Sequence, residues 1–409
     1  MTDHVTLDKG GAPPAAPRRG ALLGAMFLMA TSAIGPGFIT QTTVFTAELG
    51  AAMAFAILVS VLVDIAIQLN VWRVVGVAGR RAQDLANSVV PGGGYALAVL
   101  DVFGGIIFNI GNVAGTALGL NALLGLDVKI GGTLSALVAV GIFLSKRAGV
   151  AMDRIVVVLG LAMIVMTLYV AIVSSPPIGE ALVQTVAPDQ VKFLVITTLI
   201  GGTVGGYITY AGAHRMIDSG LTGPENVQGI TRASVTGILV TAVMRVLLFL
   251  AVLGVVAGGA KLAADNPAPS AFEHAAGETG LRVFGLIMWS AAITSVIGAS
   301  YTSVTFLVSF HPWIKRNRDY LVVAFIALST VIYLSLGTTP VTLLILAGAL
   351  NGLILPFGLG LLMWVAARRR DLLGGYRYPK WLLLLGVAAW LLSLYLGWNS
   401  LTGIADLWN

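Results

Sequence analysis

The chain has 409 residues, of which 57% are hydrophobic and 10% are charged, and its formal net charge is +6. Soluble domains carry about 25% charged residues, so this composition excludes an ordinary water-soluble protein. The chain contains no cysteine, which excludes disulfide bonds, thiolate metal sites and a cysteine nucleophile. The polar, proline-rich residues 1–20 lack the apolar core of a signal peptide and predict a disordered cytoplasmic tail.

Apolar stretches of about 20 residues, the length that crosses a hydrocarbon core, recur along the chain. They predict eleven membrane-spanning helices, at about 21–49, 51–72, 95–123, 130–145, 154–174, 191–217, 228–258, 281–311, 319–336, 339–367 and 380–402. A cytoplasmic N-terminus places 19 of the 24 lysine and arginine residues on the cytoplasmic side, as the positive-inside rule requires. We therefore expect a multi-pass protein of the inner (cell) membrane, with the lipid bilayer and not nucleic acid as its partner.

Glycines interrupt two of the predicted spans. The first break is Gly35-Pro36-Gly37 in span one, and the second covers residues 201–206 in span six. A proline inside a helix removes a backbone donor, and a bilayer tolerates broken helices only against protein or a wet cavity. Glycines that merely allow close helix packing are the alternative explanation.

The breaks divide the spans into two blocks of five, at 21–174 and 191–367, and each block opens with a broken helix. Because five is odd, the second block crosses the membrane in the opposite sense. The pattern predicts an all-α membrane protein with a 5+5 inverted repeat, and an eleventh helix with the C-terminus at 380–409. Paired broken helices are typical of secondary transporters that work by alternating access.

The residues around the breaks resemble those of the NRAMP (natural resistance-associated macrophage protein) transporters of the APC superfamily. Gly35-Pro36-Gly37-Phe38 stands where that family carries Asp-Pro-Gly-Asn, and the segment 349–357, with Asn351, resembles its span ten. Residues 290–305 resemble its span eight. His214 matches the second histidine of its Met-Pro-His segment, which places Tyr207 at the methionine. The resemblance implies a LeuT-like fold.

The departures from that family concern its metal ligands. NRAMP proteins bind Mn²⁺ or Fe²⁺ with the span-one aspartate and asparagine, the span-six methionine and backbone carbonyls. Gly35, Phe38 and Tyr207 replace these side chains here, and Asn109 and Asn112 stand for the acidic pair of span three. A dication stripped of water needs anionic or numerous ligands. We therefore expect no transition-metal site.

The first break suggests what the site holds instead. A helix N-terminus presents free N–H groups and about half a positive charge, and in LeuT-like transporters a substrate carboxylate docks there. Without the aspartate, the site favours an anion. Local capping by the threonines, cross-helix bonds from the asparagines and ordinary packing of Phe38 remain open. The candidate substrate residues are Gly35, Pro36, Gly37, Phe38, Thr40, Gln41, Asn109, Asn112, Gly205, Gly206, Tyr207, Thr209 and Asn351.

Two residues are candidates for ion coupling. Asp64 lies in span two, and a carboxylate at membrane depth is a functional-site hypothesis by default. Its alternative role is a fixed ion pair, with Arg245 as the partner. A free imidazole titrates near neutral pH, so His214 is either a proton relay or a structural histidine at the end of span six.

The chain carries no phosphate-binding loop and no catalytic constellation, so we expect neither an enzyme nor a cofactor nor an ATP-driven pump. The sequence predicts a secondary transporter that imports a small carboxylate-bearing solute, amino-acid-like in size, such as 5-oxoproline. Coupling to H⁺ or Na⁺ is expected. One alternative is a transporter of a hydrated divalent cation, Mg²⁺ or Mn²⁺. Another is a non-transporting sensor or channel-like protein.

Overall fold

The computed structural model of the protein describes residues 18–336 and 339–408, and the predicted tail lies almost entirely outside them. Within these ranges the chain is helical and has no β-strand. The sixteen α-helices are α1 Arg18–Ala33, α2 Pro36–Leu49, α3 Met53–Ala78, α4 Ala82–Val89, α5 Gly93–Leu124, α6 Val128–Leu144, α7 Lys146–Val173, α8 Ile178–Val186, α9 Phe193–Thr203, α10 Tyr207–Asp218, α11 Val227–Ala257, α12 Pro267–Thr305, α13 Pro312–Arg316, α14 Arg318–Ser335, α15 Pro340–Arg368 and α16 Lys380–Trp408.

Each of the eleven predicted spans coincides with a helix or a pair of helices. By length and composition alone, eight helical segments of the described chain can cross a membrane, or nine if the sharply bent pair α7 and α8 is one span. Nine is lower than the predicted eleven for two reasons. The count joins α2 to α3 through a 3₁₀ turn at Gly50–Ala52, and α6, with 17 residues, is too short to be included. The all-helical, multi-pass prediction is confirmed.

The structure adds elements that hydropathy did not indicate. Three short helices, α4, α8 and α13, lie between the spans. Hydropathy did not predict them because their mixed polar and apolar residues do not resemble a membrane-spanning segment. Helix α12 begins at Pro267, well before the predicted start at residue 281. A non-helical glycine, Gly277 at φ +64°, separates its first ten residues from the apolar remainder.

The two broken helices occupy the centre of the bundle. In the apolar 18-residue stretch of α9 and α10, 89% of the stretch is buried by protein. In the corresponding stretches of α14 and α16, only 33% is buried. Helices α5, α12 and α15 pack around the breaks. Non-helical backbone in a membrane must be enclosed by protein, and the fold provides that enclosure.

Glycine is required at the second break because of both backbone and space. Gly206 has φ +48°, a conformation that side-chain-bearing residues rarely adopt. A Cβ atom there would lie 1.8 Å from Oδ1 of Asn351, and one on Gly201 would lie 1.9 Å from the carbonyl oxygen of Gly348. The glycines therefore allow α9 and α10 to approach α15 closely at the point where the helix is interrupted.

Candidate substrate site at the helix breaks

The first break exposes the N-terminus of α2. Gly35 is extended, with φ −101° and ψ −173°, and Pro36 is the first helical residue. The N-cap residue is Gly35, which has no side chain, so the N–H groups of the first turn receive no cap from it. These groups carry the partial positive charge of a helix N-terminus into the buried centre of the protein.

Neutral polar groups surround Gly35. A Cβ atom on this residue would lie 2.7 Å from Oγ of Ser295 and 3.7 Å from Oδ1 of Asn112. The hydroxyl of Tyr207 lies beside the Asn112 side chain, and neither group makes another hydrogen bond within the described residues. The structure therefore brings Gly35, Asn112 and Tyr207 together, although they come from three different predicted spans.

Two separate aromatic contacts lie near the first break. Phe108 and Tyr207 meet edge to face with their centroids 5.5 Å apart. The Phe38 ring carries the guanidinium of Arg245, whose Cζ lies 4.3 Å from the ring centroid. Phe38 therefore makes a cation–π contact in addition to its apolar packing.

Several predicted site residues hold helices together. Gln41 Nε2 donates to the Leu344 carbonyl at 2.8 Å and ties α2 to α15. Asn351 Nδ2 donates to the carbonyls of Gly104 and Ala347, at 3.1 and 2.8 Å, while its Oδ1 faces Gly206. Asn109 Nδ2 donates to Ser300 Oγ at 3.1 Å, so Asn109 makes the cross-helix bond that was one of its two expected roles.

The remaining predicted residues are buried along the half-helices. Thr42 and Thr43 donate to the carbonyls of Phe38 and Ile39 one turn earlier, which is the local bonding expected of such threonines. Thr40 is buried on the same helix. The Thr209 carbonyl accepts a hydrogen bond from Trp72 Nε1 at 2.9 Å, while the Thr209 hydroxyl has no partner within the described chain.

His214 has the hydrogen bonds of a structural histidine. Its Nδ1 lies 2.9 Å from the Thr305 hydroxyl, which itself donates to the Thr302 carbonyl and must therefore accept from the ring. The backbone N–H of Ala82 donates to Nε2 at 3.4 Å. Both nitrogens are thus engaged in a neutral ring, which favours the structural alternative over the proton relay.

Asp64 of α3 and Arg245 of α11 are ionisable neighbours. Each side chain is 1% exposed, yet within the described chain they form no direct ion pair. Thr203 also lies beside Asp64, but its hydroxyl donates to the Leu199 carbonyl and has no proton left for the carboxylate. The expected fixed ion pair is therefore not made as a contact.

Sequence reasoning missed two buried charged groups. Arg245 was considered only as a partner for Asp64, and Asp101, which is 1% exposed beside Tyr210 on α10, was not considered. Each interrupts an apolar run, which is the signal that marks such residues. Neither carboxylate oxygen of Asp101 has a hydrogen-bond partner among the described residues.

One end of the bundle is closed by a polar network. Arg81 Nη2 lies 2.6 Å from Oδ1 of Asp218 at the end of α10, and the Tyr301 hydroxyl donates to Oδ2 at 3.1 Å. The guanidinium of Arg318 stacks over the Tyr301 ring at 4.9 Å. At the opposite end, Glu48 at the end of α2 pairs with Lys192, just before α9. Ion pairs thus connect the broken helices to their neighbours at both ends.

Comparison with known proteins identifies the family. Residues 26–403 match the family described as natural resistance-associated macrophage protein-like, Nramp. The chain belongs to the Nramp family. It is 50% identical to the uncharacterized membrane protein YcsG of Bacillus subtilis over 95% of this chain and 96% of that protein. It is also 51% identical to an uncharacterized membrane protein of Haemophilus influenzae, over 89% and 91% of the two chains.

Solved structures show the same fold. A manganese transporter of Eremococcus coleocola, in complex with an aromatic bis-isothiourea substituted compound, superposes with a TM-score of 0.74 at 16% identity, over 96% of this chain and 89% of that chain. MhsT in complex with L-phenylalanine gives a TM-score of 0.70 at 15% identity, over 95% of this chain and 100% of that chain. This Nramp-family protein is therefore a membrane transporter with a LeuT-like fold and not an enzyme.

Proposed function

We propose that this Nramp-family transporter carries a small organic solute bearing a carboxylate, amino-acid-like in size, and not Mn²⁺ or Fe²⁺. The observation that carries the proposal is the uncapped N-terminus of α2, which opens beside Gly35 with Ser295 and Asn112 as its polar neighbours. The guanidinium of Arg245 lies over the ring of Phe38, the third residue of α2. A helix N-terminus and a guanidinium both attract an anion and both repel a bare dication.

The aromatic rings near the first break also support an organic substrate. Phe38, Phe108 and Tyr207 offer flat apolar surface next to the polar break, and small-molecule sites typically combine such walls with a few convergent polar groups. We propose that the solute moves by alternating access around the two breaks, together with H⁺ or Na⁺. The ion pairs Arg81–Asp218 and Glu48–Lys192 are suited to close the two ends in turn.

A ligand screen on the purified protein tests this function. We expect small carboxylates, with 5-oxoproline as one member of the set, to raise the melting temperature, because a ligand that binds only the folded state stabilises it. The primary amide of each acid is the matched control and should stabilise less. Mn²⁺ and Mg²⁺ should produce no saturable heat in calorimetry at micromolar concentration. A clear Mn²⁺ isotherm without any carboxylate effect would contradict the proposal.

We further propose that the protein lies in the inner (cell) membrane with its N-terminus in the cytoplasm. The cysteine-free chain allows a direct test, because a single introduced cysteine is the only thiol. Lys261 and Lys315 are both exposed, and the charge distribution places them on opposite sides. We expect a membrane-impermeant maleimide to label Lys261→Cys in intact cells and Lys315→Cys only after permeabilisation. The reverse pattern would invert the topology.

A further inference from the structure

Arg245 offers an unused pair of hydrogen-bond donors in the buried centre of the protein. The side chain is 1% exposed, and its Nε and Nη2 atoms have no hydrogen-bond partner among the described residues. These two nitrogens form one edge of the guanidinium, the edge that matches the two oxygens of a carboxylate. A buried cation with free donors is costly unless something occupies them.

The position of Arg245 connects these donors to the proposed site. Its guanidinium stacks on Phe38, the third residue of α2, whose N–H group belongs to the uncapped helix end. Two independent features, a helix N-terminus and a buried unpartnered arginine, therefore meet at one side chain. Both have the polarity that an anion requires.

Asp64 is the ionisable neighbour of Arg245. Among the described side chains, Arg245 of α11 is the charged group that acts on Asp64, and Asp64 of α3 is the one that acts on Arg245. The other close neighbours, Thr203 of α9 and Phe38 of α2, are uncharged. The titratable groups of α10 have different partners: Tyr207 lies beside Asn112, Tyr210 beside Asp101, and His214 beside Thr305.

We propose that Arg245 binds the carboxylate of the transported solute and that Asp64 takes up one proton when it does so. This inference rests on the proposed function and names its coupling ion as H⁺. A second carboxylate beside the same guanidinium would leave one excess negative charge in a buried place. A proton from the water on the open side converts the Asp64 carboxylate to the acid and returns the sum of the three charges to zero. No covalent bond other than this O–H bond forms.

The reciprocal consequence is co-transport. Because carboxylate and proton each favour binding of the other, joint occupancy is favoured over occupancy by either one alone. A solute anion and one proton then cross the membrane together with no net charge. The primary amide of the same solute has no charge to offset and should bind without a proton.

The test measures proton uptake by calorimetry in two buffers with different ionisation enthalpies. The probes are pyruvate, lactate and 5-oxoproline, which are anions near neutral pH, each compared with its uncharged primary amide. For any acid that binds the wild type, we expect uptake of about one proton per bound acid and none with the amide. Asp64→Asn should bind the acid with no proton uptake. Arg245→Gln should weaken acid binding at least about 30-fold and amide binding less than threefold.

Controls separate folding from recognition. Arg245→Gln leaves Asp64 without its counter-ion, so the double variant Asp64→Asn/Arg245→Gln, which removes both charges, should fold and still not bind the acid. A further control is Arg73→Gln. Arg73 is a second buried arginine; it lies on α3 and bonds to Thr231, at the end of α3 remote from the break. This variant should bind the acid as the wild type does.

Each outcome decides between the two claims. If the double variant binds the acid within threefold of wild type, the role of Arg245 is wrong while the carboxylate function stands. If Asp64→Asn still takes up one proton with the acid, the role of Asp64 is wrong. If none of the acids binds the wild type and Mn²⁺ does, both the proposed function and this inference are overturned.

Discussion

Replacing Gly35 with aspartate is expected to abolish the binding of carboxylates. The new carboxylate would stand at the N-terminus of α2, where the proposed solute places its own. Two like charges about 4 Å apart repel by about 4 kcal/mol at an effective dielectric constant of about 20. We therefore expect affinity to fall by at least about 100-fold in calorimetry or thermal-shift titration, and a stabilising effect of Mn²⁺ to appear.

Gly35→Asn is the matched control for this change. Any Cβ atom at position 35 meets the Ser295 hydroxyl at 2.7 Å, so both variants must displace that side chain. Asparagine has the size of aspartate without its charge, and it should weaken carboxylate binding less than about tenfold, the equivalent of about 1.4 kcal/mol. Equal loss in the two variants would show that the effect is steric and that the electrostatic argument is wrong.

Gly206→Ala is expected to be a strongly damaging single-methyl change at the second break. The backbone of Gly206, with φ +48° and ψ −130°, disfavours any residue other than glycine by about 1–3 kcal/mol, and the Cβ atom 1.8 Å from Asn351 Oδ1 adds an overpacking cost of about 1–3 kcal/mol. We expect a loss of stability of about 2–6 kcal/mol, measured as a lower unfolding midpoint, and loss of transport.

A second glycine separates the two causes. Gly220 has φ +69° but open space around its Cβ position, so Gly220→Ala should cost only the backbone component of about 1 kcal/mol. The double variant Gly206→Ala/Asn351→Ala removes the group that the methyl strikes. It should be more stable than the sum of the two single changes indicates. Strict additivity would show that Asn351 is not the group that excludes a side chain at position 206.

The sequence predicted the fold through features that act locally. Apolar length, the side bias of lysine and arginine, and the helix-breaking residues at 35–37 and 201–206 are properties of the chain itself, and membrane physics allows few structures to satisfy them. The structure accordingly has helices at all eleven predicted segments and interrupts the first and sixth, at residues 34–35 and 204–206, which is narrower than the predicted breaks. The short helices α4, α8 and α13 were missed because their composition does not distinguish them from loops.

The roles of individual site residues depended on tertiary contacts. Arg245 and Phe38 are about two hundred positions apart, and only the packing of α11 against α2 places the guanidinium on the ring. Packing likewise turns Asn109 to Ser300, His214 to Thr305 and Asn351 to the second break. Sequence by itself determined that two of the helices are interrupted and that glycine stands at the first interruption. The tertiary structure decided which charges face that break, because electrostatic attraction depends on distances between helices that sequence separation does not encode.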